Sequence, residues 1–149
     1  MCIGKFCHRN VVCALRDTTA EEAARLMRAN HVGDLVVVDA IEGERRPIGV
    51  VTDRDIVVEI VSAGLDAAKV TLGELLLRPL VTVDESTGYA DTIRLMAAKG
   101  VRRMPVVRAD GVLVGIITLD DLLRQLAIPL AELAALSLRE RAFEARTRA

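Results

Sequence analysis

Apolar and polar positions follow one order along the chain, and that order occurs twice. The short β-branched runs Val11 to Leu15 and Leu80 to Val83 predict strands. A helical pattern follows each. In the first, Thr18 stands as N-cap with Glu21 three residues on, ahead of Ala23, Ala24, Leu26 and Met27. In the second, Thr87 stands in the same place with Ala90 where the acidic partner should be, and Ile93, Leu95 and Met96 keep the apolar stripe. Next come two apolar hairpins: Leu35 to Val38 with Ile48 to Val51, and Pro105 to Val107 with Leu113 to Ile117. A second helix closes each pattern, from about Asp53 to Ser62 and from about Leu119 to Ala127, with Gly64 and Pro129 as stops.

The two patterns are copies at the level of residues. A shift of 69 lays Gly4 on Gly73, Arg9 on Arg78, Thr18 on Thr87, and Arg25, Leu26 and Met27 on Arg94, Leu95 and Met96. After a short excess within Ala40 to Pro47 the shift becomes 66, and Gly49, Thr52 and Asp55 fall on Gly115, Thr118 and Asp121. The excess lies in a polar, Gly-containing hairpin connection, where length varies at little cost. Strands that are apolar throughout need cover on both faces, so two β-α-β-β-α units should pack together as one module of the α/β class. The expected division is 1–64 and 65–128 for the repeats, with a helical tail over 129–149 whose Leu130, Leu133, Leu136 and Phe143 form one stripe.

Composition narrows the chemistry. The 149 residues are 52% hydrophobic, which excludes a disordered chain, and 20 basic against 21 acidic side chains carry no field for nucleic acid. Phe6, Tyr89 and Phe143 are the whole aromatic content, too few for a base-stacking sheet. No apolar run reaches the roughly 18 to 20 residues of a membrane span, and Met1 to Asn10 lacks the apolar core of a signal peptide. A cytoplasmic protein without membrane contact is expected. Cys2, Cys7 and Cys13 suit neither a disulfide framework nor a metal-ligand spacing, so no metal is assigned. No nucleophile motif, paired catalytic His or Gly-Lys-Thr phosphate loop is present, and no enzyme activity is expected.

What repeats most clearly is Gly-h-h-Thr-x-x-Asp, with h apolar, at Gly49 to Asp55 and Gly115 to Asp121. Two roles are open to it. Thr and Asp at this spacing cap a helix that starts at a strand end, and the same helix start offers N–H groups, a hydroxyl and a carboxylate to a phosphorylated ribose.

With both copies of that motif, each behind a helix and an apolar hairpin, residues 3 to 127 resemble a tandem pair of CBS domains, a Bateman module. Thr52-Asp53-Arg54-Asp55-Ile56, followed by Ala63 to Asp66, is similar to small stand-alone bacterial and archaeal members. The resemblance implies a regulatory sensor that binds an adenosine nucleotide, AMP, ADP, ATP or a relative, in the cleft between repeats, with no other cofactor. Carried over by position, Asp55 and Asp121 match the ribose carboxylates, and Thr52 and Thr118 match the hydroxyls. Val11, Val12 and Cys13, and in the second copy Val81 and Thr82, match the adenine-reading strand. Arg102 and Arg103, ahead of Met104 and Pro105, match the phosphate-reaching position, with Arg54 able to act from its helix start. The first copy departs by placing Asp34 where the second has Arg103, so two unequal sites are expected. The resemblance also implies a homodimer through the repeat helices, and an effector protein that the residues do not specify. The alternative is a ligand-free dimerisation or interaction scaffold, in which Thr and Asp only cap.

Overall fold

The computed structural model describes residues 2–76 and 78–147. Arg148 and Ala149 of the expected tail lie outside them. The chain divides between Ile117 and Thr118 into two compact units.

The larger unit carries β1 (Cys13–Leu15), α1 (Ala20–Asn30), β2 (Asp34–Ile41), β3 (Glu44–Thr52) and α2 (Asp53–Asp55), then β4 (Val83–Asp84), α3 (Tyr89–Lys99), β5 (Arg103–Val107) and β6 (Leu113–Thr118). The smaller begins with the last residue of β6 and is α4 (Leu119–Thr147). The expected β-α-β-β-α order therefore occurs twice. Each repeat builds one three-stranded sheet, β1-β2-β3 and β4-β5-β6. β1 runs parallel to β2 with Cys13 opposite Val36, and β4 runs parallel to β5 with Val83 opposite Val106. β2 and β3 form an antiparallel hairpin with a bulge after Val37, where Gly49 and Pro47 face Val37 and Val38. Its turn is Glu42 and Gly43, both at positive φ, as a two-residue connection requires.

Sheet faces explain why the apolar run of β2 has no polar alternation. Leu35 and Val37 join a core with Ala20, Ala23 and Met27 of α1, Val51 of β3 and Ile60. Val36 and Val38 point the other way and pack with Val11, Leu113 and Ile116, two of them from the second repeat. Each such residue contributes about 1.5–3 kcal/mol on burial, so losing either face would remove most of what holds the hairpin.

The repeats also exchange their leading segments. Residues Ile3–Lys5 and Leu72–Leu75 form matching single 3-10 turns, with Ile3 and Leu72 fully buried. Ile3 N–H donates to the Thr87 carbonyl and Gly4 N–H to that of Glu85, on the second repeat. Leu72 and Gly73 N–H donate to the carbonyls of Thr18 and Arg16, the equivalent residues of the first. Beyond the turns, His8 pairs with Ile116 in both directions, at 2.9 Å each. This close approach is why glycine recurs. A Cβ at Gly4 would lie 2.9 Å from Glu85 Cβ, one at Gly73 2.7 Å from Arg16 Cγ, and one at Gly49 would overlap the Leu76 side chain.

The exchange moves the start of α1. Thr18 gives its carbonyl to Leu72 and its Oγ1 accepts from Leu15 N–H, so Thr19, not Thr18, is the N-cap. The reciprocal partner is Glu22, not Glu21: Glu22 N–H donates to Thr19 Oγ1 at 3.2 Å, and the carboxylate accepts from Thr19 N–H at 2.9 Å. Those bonds hold the Glu22 carboxyl below its ordinary range. In the second repeat Thr87 is likewise displaced as cap, by Gly88, which offers no side chain.

Two helices differ from their expected form. α2 has α-geometry only over Asp53–Asp55 and continues as a π-helix over Ile56–Val61, with Ser62 N–H donating to Val57 and Leu65 N–H to Ile60. The second closing helix does not stop before Pro129 but runs through it as α4, leaving the Gln125 carbonyl without its helical donor.

Gly115→Ala tests the exchanged segment, because its Cβ would sit 2.5 Å from Cys7 Sγ and 2.9 Å from the His8 carbonyl oxygen. Urea denaturation should show a loss of about 1–3 kcal/mol. A loss of less than about 0.5 kcal/mol would show that the segment is not docked there.

Candidate functional site

β3 ends at Thr52 and α2 begins one residue later, so chain direction alone places a helix start at the edge of the sheet. Thr52, in extended conformation, accepts from Asp55 N–H at 3.1 Å through Oγ1. Asp55 Oδ2 accepts in return from Thr52 N–H and Oγ1, both at 2.8 Å. Thr118 and Asp121 form the same box at the head of α4, with bonds of 2.9, 2.7 and 3.3 Å. Both motif copies thus act as caps, and the capping role holds whatever else they do.

The first copy opens on a cleft of about 450 Å³ within the larger unit. Thr52, Arg54 and Asp55 line it from the first repeat, and Val81, Arg102 and Arg103 from the second. Six of the expected residues are therefore brought together. Val11 is not among the lining residues, since its side chain fills the inter-repeat core with Val36 and Ile116. Val12 packs on the core of the first repeat, and Cys13 packs beside Val11, with burial raising its thiol pKa against the opposing pull of Arg45. Thr82 is half-buried and also outside the lining, while Met104 and Pro105 are fully buried in β5 and outside it as well. Thr118 and Asp121 belong to the other compact unit.

Several lining residues carry no signal in the local sequence pattern. Leu75, Leu76, Arg78, Pro79 and Leu80 come from the exchanged segment that leads into the second repeat, and Val50 from β3 completes an aliphatic wall. Asp53 and Glu59 add carboxylates. Gly100, at φ +63, ends α3 in the left-handed turn that swings Val101 to Arg103 to the cleft edge.

The basic groups are of two kinds. Arg54, Arg78 and Arg102 are exposed, and none pairs with a carboxylate of the described residues. Arg103 Nη1 instead lies 2.6 Å from Asp34 Oδ1. Burial chiefly raises the Asp34 carboxyl pKa; Arg103 opposes that shift and the charge of Asp53 adds to it. An unpaired cationic rim over an aliphatic wall, beside a hydroxyl–carboxylate pair, suits an anionic ligand with an apolar ring and a sugar.

A family model for the CBS domain matches residues 3–62 and 72–128. The chain belongs to the CBS-domain family. An uncharacterized protein of Methanopyrus kandleri is 34% identical over 122 residues, covering 82% of this chain and 61% of that one, so this chain spans about three-fifths of that relative. The crystal structure of hypoxic response protein I with two coordinated zinc ions is 32% identical, with a TM-score of 0.72, covering 83% and 98% of the two chains. In this chain no three His, Cys, Asp or Glu residues among those described are grouped to hold a metal ion. A CBS domain protein of Pyrobaculum aerophilum complexed with AMP is 25% identical, with a TM-score of 0.74, covering 86% and 99%. No helix among the described residues is long and apolar enough to cross a membrane.

Thr52→Ala removes the acceptor for Asp55 N–H and the donor to its carboxylate. It should lower stability by about 0.5–2 kcal/mol in chemical denaturation. No measurable loss would show that the box does not hold the helix start.

Proposed function

We propose that this CBS pair, with repeats over 1–64 and 65–128 and a tail over 129–149, is a non-enzymatic regulatory module that binds an adenosine nucleotide in the cleft. The observation that carries this reading is the joining of three unpaired arginines, an aliphatic wall and the Thr52–Asp55 pair around one cavity of ligand size. Asp55 and Thr52 take the ribose hydroxyls, the slot between Val50, Leu80 and Val81 takes adenine, and Arg54, Arg78, Arg102 and Arg103 face the phosphates. The AMP complex of the P. aerophilum protein supports the ligand class. Val11, Val12, Cys13 and Thr82 are kept as proposed adenine-reading positions outside the lined cleft, and Thr118 and Asp121 as the proposed ligand groups of the second motif copy. Met104 and Pro105 position the strand rather than touch ligand. We propose no reaction for this module. A ligand-free scaffold is the second reading, favoured by the fact that both caps are complete without ligand.

Titration with adenosine, AMP, ADP and ATP separates the two. A ligand at a hundredfold over its Kd adds about 2.7 kcal/mol, on the order of 5 to 10 °C in Tm for this length. Asp55→Asn should cut calorimetric affinity about tenfold or more. No shift from any of the four at millimolar concentration would leave the scaffold reading standing.

The proposed partner is a second copy. On the closing helices of the repeats Ile56, Ile60 and Leu122 are buried and closed to a partner, but Val57, Val61, Leu123 and Leu126 are exposed. Sedimentation should give about twice the 16.1 kDa of one chain. Val61→Asp should restore the single mass, since Val61 is 66% exposed in the single chain and would become an unpaired buried charge only at an interface. A single mass for the unaltered chain, with and without nucleotide, would overturn the dimer.

A further inference from the structure

Among the described residues, Arg103 is the one cleft arginine already held by a carboxylate, and that carboxylate comes from the other repeat. Asp34 opens β2 and Arg103 opens β5, at positions the 69-residue shift superimposes, so the substitution that separates the two copies is itself the contact between them. The Asp34 side chain is 19% exposed and that of Arg103 32%, so the pair is more shielded than the other ion pairs of the described residues.

The pair is close but poorly matched. Arg103 Nη1 is sealed from solvent, and no acceptor among the described residues meets it in hydrogen-bonding geometry, although Asp34 Oδ1 is 2.6 Å away. A bidentate fork, the strong form of an arginine–carboxylate contact, is absent. The carboxylate is crowded as well: Asp53, whose N–H donates to the Gly33 carbonyl at 3.0 Å, sets a second negative charge near Asp34, and desolvation adds to the cost of its ionised form. A cation held by an acceptor that is desolvated, repelled by a neighbour and out of line is open to exchange for a better acceptor. Arg103 also lines the cleft, and its side chain is 32% exposed although Nη1 is sealed, so a phosphate in the cleft meets the rest of the guanidinium and competes with Asp34 for it.

We infer that Asp34 is a specificity-determining residue of the cleft: an internal anion that occupies Arg103 until a ligand phosphate displaces it. Every phosphorylated ligand must then break the Asp34–Arg103 contact, and an uncharged nucleoside need not. Asp34 thus weakens binding of phosphorylated ligands relative to adenosine and admits those whose phosphates engage the other three arginines as well. This inference rests on the nucleotide reading for the sugar and base, and on the geometry of the pair for the phosphate.

The test is calorimetric titration of the full chain and of Asp34→Asn, Asp34→Ser, Arg103→Gln and the Asp34→Asn, Arg103→Gln double variant, with adenosine, AMP, ATP and inorganic pyrophosphate. Asp34→Asn should tighten AMP, ATP and pyrophosphate about three- to tenfold, leave adenosine unchanged, and lose that gain when Arg103 is Gln. Asp34→Ser guards against a folding defect peculiar to Asn, and each variant's melting curve confirms its fold. Weaker or unchanged phosphate binding would overturn the inference, because Asp34 would then position Arg103 or be idle. A gain shared by adenosine, or one that persists without Arg103, would overturn it as general electrostatics. If pyrophosphate follows the expected pattern while no adenosine compound binds, the nucleotide reading falls and the role of Asp34 stands. If nothing binds to any variant, both fall.

Discussion

Four consecutive apolar residues in β2, Leu35 to Val38, are fully or almost fully buried, and a strand can bury such a run only if both faces of its sheet are covered. One face is closed within the first repeat by α1 and the segment after α2. The other is closed by Leu113 and Ile116 of the second repeat, which makes neither sheet complete by itself. The close packing at Gly4, Gly73, Gly49 and Gly115 follows, because each repeat sends its leading segment across to the other and backbone must approach backbone or a packed side chain.

The cleft is a by-product of the same arrangement. Joining two sheets by crossed segments brings the end of β3 and the head of α2 against the residues that lead into β4. Strand ends supply the polar groups, since Thr52 and Asp55 must satisfy the first turn of α2 in any case. The crossing segment supplies aliphatic surface and Arg78. Charge then distributes unevenly: the rim is basic, while Asp34 and Asp53 place negative charge beside the one arginine that is shielded.

The hydrophobic pattern made both sheets and all four helices legible, and residue matching between the copies made the duplication legible as well. The errors of the pattern have a common source. Thr18 and Glu21 satisfy the capping pattern as well as Thr19 and Glu22 do, and what selects between them is how Thr18 is bonded: its Oγ1 accepts from Leu15 N–H, and its carbonyl from Leu72 N–H, more than fifty positions away. The aliphatic wall at Leu75, Leu76 and Leu80 was missed for the same reason, as local periodicity carries no trace of a segment crossing to another repeat. A trace did exist in the matched glycines, whose equivalence in both copies marks four places where no side chain fits. Pro129 misled in the opposite way: it is a poor helix residue that α4 nonetheless contains.

The pairing of His8 with Ile116 also orders events in time. The strand partner of residues near the start of the chain is made more than a hundred residues later, so the N-terminal segment leaves the ribosome with its docking surface not yet synthesised. Contacts of such long sequence separation close late and slow the folding of the whole domain. Until Glu85 and Thr87 arrive, Ile3 lacks the backbone it docks on, and until β6 follows, the first sheet stays uncovered on the face that Leu113 and Ile116 will close. The interval between those two moments is when the nascent chain is most open to misassociation with its neighbours.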